Sequence, residues 1–265
     1  MIDFLLSGEA IMALITLTFL EIVLGIDNIV FISIAAGRLP ENRRKKATNF
    51  GLLLALVQRV ILLMFVSYLT KLKTPFWEVD QDWISFSLSW EALILILGGF
   101  FLLYKATSEI MDKVEIDEEG EVDKKAKNSS MGQVLTQVLL IDLIFSLDSI
   151  LTAVGMTNGM SPNPNHSLVL MIIAVVISMA VMILFANKIR LFIEKHPSMQ
   201  LLGLAFLILI AFLLVTEGAH LSHAEVFGKH VGTIPKGYLY FAIVFSLAIE
   251  FLNIRIRKVR KLKKK

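Results

Sequence analysis

Seven apolar runs alternate with short polar stretches along the chain, each about the 20 residues needed to cross roughly 30 Å of hydrocarbon. They predict helices near 9–36, 48–70, 88–108, 131–156, 167–187, 199–218 and 237–254. In hydrocarbon every backbone N–H and C=O must be paired inside the protein, and no barrel-like alternation runs through these segments, so helices are the expected form. The pattern predicts an all-α membrane protein, a single transmembrane domain filling residues 1–265. Three helices (about 9–110) are followed by a charged linker (about 111–130), three more helices (about 131–218) and a seventh (about 237–254).

Two of the runs carry acids at depth. Glu21-Ile-Val-Leu-Gly-Ile-Asp27-Asn28 lies in the first, and Asp142-Leu-Ile-Phe-Ser-Leu-Asp148-Ser149 lies in the fourth with the same six-residue spacing of its acids, 121 positions on. An odd number of crossings separates the copies, so they insert in opposite directions. A 3+3 inverted repeat plus one C-terminal helix is a transporter-like plan, with a site where the halves meet near the midplane. An Asp at the centre of a spanning helix costs about 2.5–3.5 kcal/mol on an insertion scale, against about 0.3–0.6 returned by Leu or Ile. Acids kept at that cost mark ion or proton pathways. The plainer reading makes all four structural, hydrogen-bonded across helices or paired with Arg59, which interrupts the second run beside Gln58.

On an unbroken helix, residues six apart point about 120° away from each other. For Glu21 and Asp27 to serve one ion the helix must unwind, and Gly25, with Ser146 in the second copy, marks where it would; Gly25 read as a packing glycine is the other option. Brought together by a pseudo-twofold axis, Glu21, Asp27, Asn28, Asp142, Asp148 and Ser149 offer only hard oxygen donors. There is no cysteine. Such a set suits Mg²⁺, Ca²⁺ or Mn²⁺ better than Zn²⁺ or Cu⁺. Four carboxylates exceed the charge of one divalent ion, so at least one is expected to hold a proton in the empty site, and metal entry is expected to displace it.

Secondary or gating positions are Arg59, Glu217 at the end of the sixth helix, and Glu250 with Asn253 one turn apart on the seventh. Glu109 closes the third helix and reads as an ordinary interfacial acid. His220, His223, Glu225 and His230 cluster in a loop, where the spacing of the first two permits joint ligation, although exposed loop histidines are commonplace. The 11 methionines are scattered on apolar faces and read as core filling.

Composition agrees with lipid as the solvent: 56% hydrophobic, 18% charged, mean hydropathy +0.72. Of the 26 Lys and Arg, 21 fall on one side of the predicted topology and four on the other, with Arg59 inside a helix. This places the N-terminus outside and the C-terminus in the cytoplasm. The net charge of +3 comes largely from the tail Arg255–Lys265, which after a spanning helix fits anionic lipid rather than nucleic acid. The first run lacks basic flanks and a cleavage signature and is expected to stay as a helix. The stretch Asp112–Lys127, with seven acids and four lysines, reads as a solvated, disordered connector.

At Glu21–Asn28, at its echo 142–149, and at the run Ile234-Pro-Lys-Gly-Tyr through Glu250-Phe-Leu-Asn253, the sequence resembles the TerC family of integral membrane proteins. That family was named for tellurium resistance and is similar in plan to the lysine-exporter superfamily. The resemblance runs over nearly the whole chain. It implies a bacterial cytoplasmic (inner) membrane protein that exports manganese, relieving excess or supplying metal to exported enzymes, with no prosthetic group. The family's acidic motif carries over onto Glu21, Asp27 and Asn28, and its second copy onto Asp142, Asp148 and Ser149; Asp142 departs from the commoner Glu. The soluble domains that some relatives append are missing from this sequence.

The leading expectation is therefore a secondary transporter exporting Mn²⁺ with proton coupling. The alternative is a membrane scaffold of a metal-stress or exoenzyme-metallation complex that moves nothing itself, with a secreted or stress-complex protein as partner. An intramembrane aspartyl enzyme is disfavoured, since the Gly-x-Gly-Asp pattern of such proteases is absent.

Overall fold

The computed structural model describes residues 2–66, 70–81, 83–119 and 130–262. Its helices are α1 (Ile2–Leu5), α2 (Gly8–Gly37), α3 (Glu41–Met64), α4 (Trp90–Glu119), α5 (Met131–Thr157), α6 (Pro164–Lys195), α7 (Pro197–Leu221) and α8 (Lys236–Leu262). All but α1 contain a stretch long and apolar enough to span a membrane, which gives the seven expected crossings. Four short strands, β1 (Pro75–Gln81), β2 (Ile84–Ser89), β3 (Glu225–Val226) and β4 (Lys229–His230), were not expected. They form one sheet in that order.

The chain divides into two compact units, each drawing on both halves of the sequence: Met1–Pro75 with Glu115–Lys195, and Phe76–Val114 with His196–Lys265. Of each predicted triple of helices, the first two belong to the first unit and the third to the second.

In the first unit α2 packs on α6, α3 and α5, and α3 packs on α5 and α6. Leu17, Phe31, Ile32, Leu52, Leu63, Ile141, Ile150 and Met179 are fully buried among them, while Phe19, Phe50, Ile61, Leu140 and Leu184 are exposed. Large aliphatic and aromatic side chains on the outside are what a lipid solvent permits. Three of the ends have a local cause. Ser7 caps α2 by accepting from the Ala10 amide at 3.3 Å. A capping box between Ser130 and Gln133 opens α5. Pro197 ends α6, forcing His196 out of helical geometry (φ −127°, ψ 88°).

Four helices differ from expectation by more than a turn, among them the last, which runs to Leu262 rather than ending near 254. The second helix covers 41–64 rather than 48–70, because Glu41–Lys46 are good helix formers whose charges an extra-membrane turn can carry. The fifth runs past Asn187 to Lys195, where Arg190 is held by Glu194 one turn on (2.7 Å) and Arg44 of α3 reaches the same carboxylate (3.5 Å). The third continues to Glu119, so the first part of the stretch expected as a disordered connector is helical. Residues 120–129 lie outside the described residues.

In the second unit α4 and α7 cross closely enough for backbones to touch. A Cβ on Gly99 would lie 2.8 Å from the Ala211 carbonyl oxygen and 2.6 Å from Val215; one on Gly218 would lie 2.8 Å from the Ala92 carbonyl oxygen and 2.7 Å from Ile96. The contacts are reciprocal, the helices antiparallel, and every partner in α7 is 119 positions beyond its counterpart in α4.

The sheet continues directly from these helices. β2 runs into α4 at Ser89–Trp90, and the Ser87 amide donates to the Ser222 carbonyl just past α7 (2.7 Å). Trp77 of β1 meets Phe86 of β2 edge-on, and Ile84 lies opposite Val226, which makes one face of the sheet apolar. On the other face Ser87 donates to Glu78 (3.5 Å), and Glu225 pairs with His230 (3.0 Å).

Candidate functional site

Residues seven apart on an unbroken helix fall within about 20° of the same face. Both α2 and α5 run without a break through Gly25 and Ser146, so no unwound segment forms at either place. Gly25 is instead a packing glycine: a Cβ there would run into the thioether of Met182 on α6. In consequence the residues that share a face are Glu21 with Asn28, and Asp142 with Ser149, at spacings of seven.

The two helices cross antiparallel and place these faces against each other. The Asn28 amide donates from Nδ2 to Asp142 Oδ1 (3.0 Å). On the other side the Ser149 hydroxyl, which donates to the Ser146 carbonyl of its own helix (3.3 Å), is next to the Glu21 carboxylate. Residue 149 is 121 positions beyond 28, as 142 is beyond 21, so the two contacts are equivalents of each other. Glu21, Asn28, Asp142 and Ser149 are each at least 95% buried. Glu21 is close to the middle of a 30-residue helix and Asp142 close to the middle of a 27-residue one, which sets both at depth.

Arg59 of α3 binds both acids. Its Nη2 donates to Asp142 Oδ1 (2.8 Å), its Nε lies 3.3 Å from each Asp142 oxygen, and its Nη1 donates to Glu21 Oε2. It is 2% exposed. The neighbouring Gln58 holds α3 to α5 through the Leu139 carbonyl (3.2 Å). Ser146, one turn beyond Asp142, donates to Asp142 Oδ2 (3.1 Å). The planar guanidinium fork suits two carboxylates at once, and charge-assisted bonds of this kind are about twice as strong as neutral ones. Asn28 Oδ1 is buried and accepts no hydrogen bond among the described residues. The amide orientation follows from the carboxylate, which only a donor can face.

The crossing thus brings together Glu21, Asn28, Asp142, Ser149 and Arg59 of the residues singled out from sequence. The side chains of Asp27 and Asp148 lie outside the described residues. Among the described residues no three His, Asp or Glu side chains gather closely enough to hold a metal ion. Chemically, the centre is two acids bridged by one fixed cation, with a free amide oxygen and a hydroxyl at its rim. Ser146 was read only as a place for a break; its helical spacing of four from Asp142 was the signal for a hydrogen-bonding role.

Glu217, Glu250 and Asn253 belong to the second unit. Glu250 accepts from Arg257 Nη2 (3.1 Å) and from Asn253 Nδ2 (3.3 Å), and Arg257 also reaches Ser198 at the start of α7 (3.1 Å). Glu217 is half-buried in the last turn but one of α7. Glu109 is buried beside Lys105 (3.1 Å). His230 is taken up by Glu225, and the His220 Nδ1 lies 3.3 Å from the Val231 carbonyl oxygen.

Seven helices of spanning length, with carboxylates, an amide and a guanidinium gathered at mid-helix, define an integral membrane protein with a buried polar centre. The model of the Integral membrane protein TerC family matches residues 6–265, and the chain belongs to that family. It is 40% identical over 261 residues to a UPF0053 protein of Haemophilus influenzae (strain Rd), covering 98% of this chain and all of that one. It is 43% identical over 246 residues to the UPF0053 inner membrane protein YgdQ of Escherichia coli K12, covering 93% of each. With the UPF0053 inner membrane protein YoaE of the same strain it shares 42% over 251 residues, which is 95% of this chain but 44% of that longer one. No solved structure matches.

Proposed function

We propose that the chain is a secondary transporter that exports a divalent cation from the cytoplasm through the centre where α2 and α5 cross, and that the cation is Mn²⁺. The observation that carries the reading is the reciprocal pair Asn28–Asp142 and Ser149–Glu21, buried at mid-helix and obeying one sequence offset. The nearly equal offset at the α4–α7 crossing supports an inverted repeat running through both units as one transmembrane domain. Oxygen donors of this kind select hard cations, and manganese, the ion that the family resemblance implies, is the choice among them. Asp27 and Asp148 complete the donor set in this reading, with protons displaced as metal enters. Glu217, Glu250 and Asn253 are assigned to gating. The Lys and Arg asymmetry orients the protein with its N-terminus outside and its C-terminus in the cytoplasm of a bacterial inner membrane. No bond-making chemistry and no prosthetic group are assigned to it.

A non-transporting scaffold is favoured by one observation: Arg59 satisfies both described acids, as a purely structural centre would require. Intracellular manganese in a strain deleted for this gene, complemented with the wild type or with Asp27→Ala, separates the readings. Export predicts that Asp27→Ala accumulates manganese like the deletion while being made and inserted normally; full rescue by Asp27→Ala would leave the scaffold. In everted vesicles loaded with a pH dye, manganese uptake without proton counter-flux rejects the coupling.

A further inference from the structure

We infer that Arg59 is a tethered cation that competes with the transported ion for the Glu21 and Asp142 carboxylates: loading the site swings the guanidinium out, and unloading draws it back. The inference rests on the cation-transport reading above and deepens it.

The two acids are equivalents in a reciprocal crossing, yet the cation between them comes from one side only. At offsets of 119–121, the counterparts of Arg59 are Ser178, Met179 and Ala180 on α6, none of them charged. A charge needed merely to let either helix pack would have a mate in the other half. Arg59 instead spends its fork on both halves at once, with Nη1 on α2 and Nη2 and Nε on α5. It therefore sits where a divalent guest shared by those two carboxylates would sit. A guest coordinated at about 2.0–2.6 Å and a guanidinium at hydrogen-bond distance cannot use the same oxygen lone pairs, and their charges repel.

Arginine cannot make way by losing its proton, as a buried lysine does. Exchange must therefore be a movement of the guanidinium away from the two carboxylates. Asn28 Oδ1, buried and accepting no hydrogen bond among the described residues, is a neutral oxygen that the guanidinium leaves unused and a metal ion can take. The same arrangement keeps one positive charge between Glu21 and Asp142 when no ion is bound, so the empty carrier does not return with both of those carboxylates unpaired in hydrocarbon.

The test is Mn²⁺ binding to the purified full-length chain in detergent, followed by loss of the free-ion electron paramagnetic resonance signal. Wild type, Arg59→Gln, Arg59→Lys and Asp142→Asn are compared. Arg59→Gln is expected to bind Mn²⁺ at least ten-fold more tightly than wild type, and Arg59→Lys to fall between. Millimolar guanidinium added to Arg59→Gln is expected to restore competition, weakening its Mn²⁺ binding while leaving wild type unmoved. Affinity in Arg59→Gln equal to or below wild type, with its circular dichroism intact, overturns the inference. If Arg59→Gln does not fold, Arg59→Lys decides in the same sense. Binding that is lost in Asp142→Asn but not tightened by either Arg59 variant sinks the tethered cation alone; absence of binding in wild type sinks the cation site itself.

Discussion

Because Arg59 has two acids, each backs up the other, and the cost of losing both exceeds the sum of the separate costs. Asp142 receives Nη2 at 2.8 Å, Nε at 3.3 Å, Asn28 at 3.0 Å and Ser146 at 3.1 Å, whereas Glu21 receives Nη1, with the Ser149 hydroxyl nearby. Hydrogen bonds to charged groups contribute about 1.5–3 kcal/mol each. In either single variant Arg59 keeps one carboxylate. Asp142→Asn should then cost about 2–3 kcal/mol, and Glu21→Gln, which loses fewer partners, about 1–2 kcal/mol. In the double variant the guanidinium is buried without either of the counter-charges it meets among the described residues, a loss that costs roughly 3–5 kcal/mol by itself. The coupling between the two substitutions is therefore expected to be about 2 kcal/mol in the destabilising direction. Unfolding free energies come from titration of the detergent-solubilised chain with dodecyl sulfate, followed by far-ultraviolet circular dichroism. Strictly additive losses, or a double variant no worse than Asp142→Asn alone, would refute a guanidinium shared between the two acids.

Two further outcomes follow from geometry elsewhere. Gly218→Ala gains about 1 kcal/mol of helix propensity but drives a methyl to 2.8 Å from the Ala92 oxygen and 3.2 Å from the Ile96 nitrogen, backbone atoms that cannot rotate aside. With overpacking at the upper end of about 1–3 kcal/mol, a net loss of about 2 kcal/mol is expected. Gly51→Ala, whose nearest neighbour is Val138 at 3.4 Å, should be neutral or slightly stabilising in the same dodecyl sulfate titration; equal effects at the two positions would count against the close crossing. All three tryptophans, Trp77, Trp83 and Trp90, are at least half exposed on or beside the sheet, which begins where α7 ends. A 25-residue α7 is about 37 Å long, more than the roughly 30 Å of hydrocarbon, so that end reaches the headgroups. In brominated-lipid vesicles, tryptophan emission should be quenched more by shallow than by deep bromines, and emission like that of tryptophan in water, with no quenching, would contradict this placement.

The seven crossings were legible because each apolar run is long and nearly free of charge. The residues at the centre were legible because acids in such runs have no packing reason to be there. The six-residue interval between Glu21 and Asp27 asks for a broken helix, which does not form, while the seven-residue interval to Asn28 puts an acid and an amide on one face of the intact one. Arg59 stood out as a charge inside a helix, but periodicity within α3 carries no information about which two neighbours its fork will meet. The sheet was missed although Ile84-Ser-Phe-Ser-Leu-Ser89 alternates apolar and polar residues strictly, the period-two signal of a half-covered strand. The ends of α3, α4 and α6 moved because charged helix formers extend a helix beyond its apolar portion at little cost.

The α4–α7 contact has a consequence for motion. Where two backbones touch through glycine, neither helix can slide by a residue or roll about its axis without driving a side chain into a main-chain atom, and here the obstruction acts at two matched points some seven residues apart. The pair is locked as a single strut. Whatever bending the protein undergoes while it works has to be absorbed away from that strut, in helices whose mutual contacts are made by yielding side chains such as the thioether of Met182.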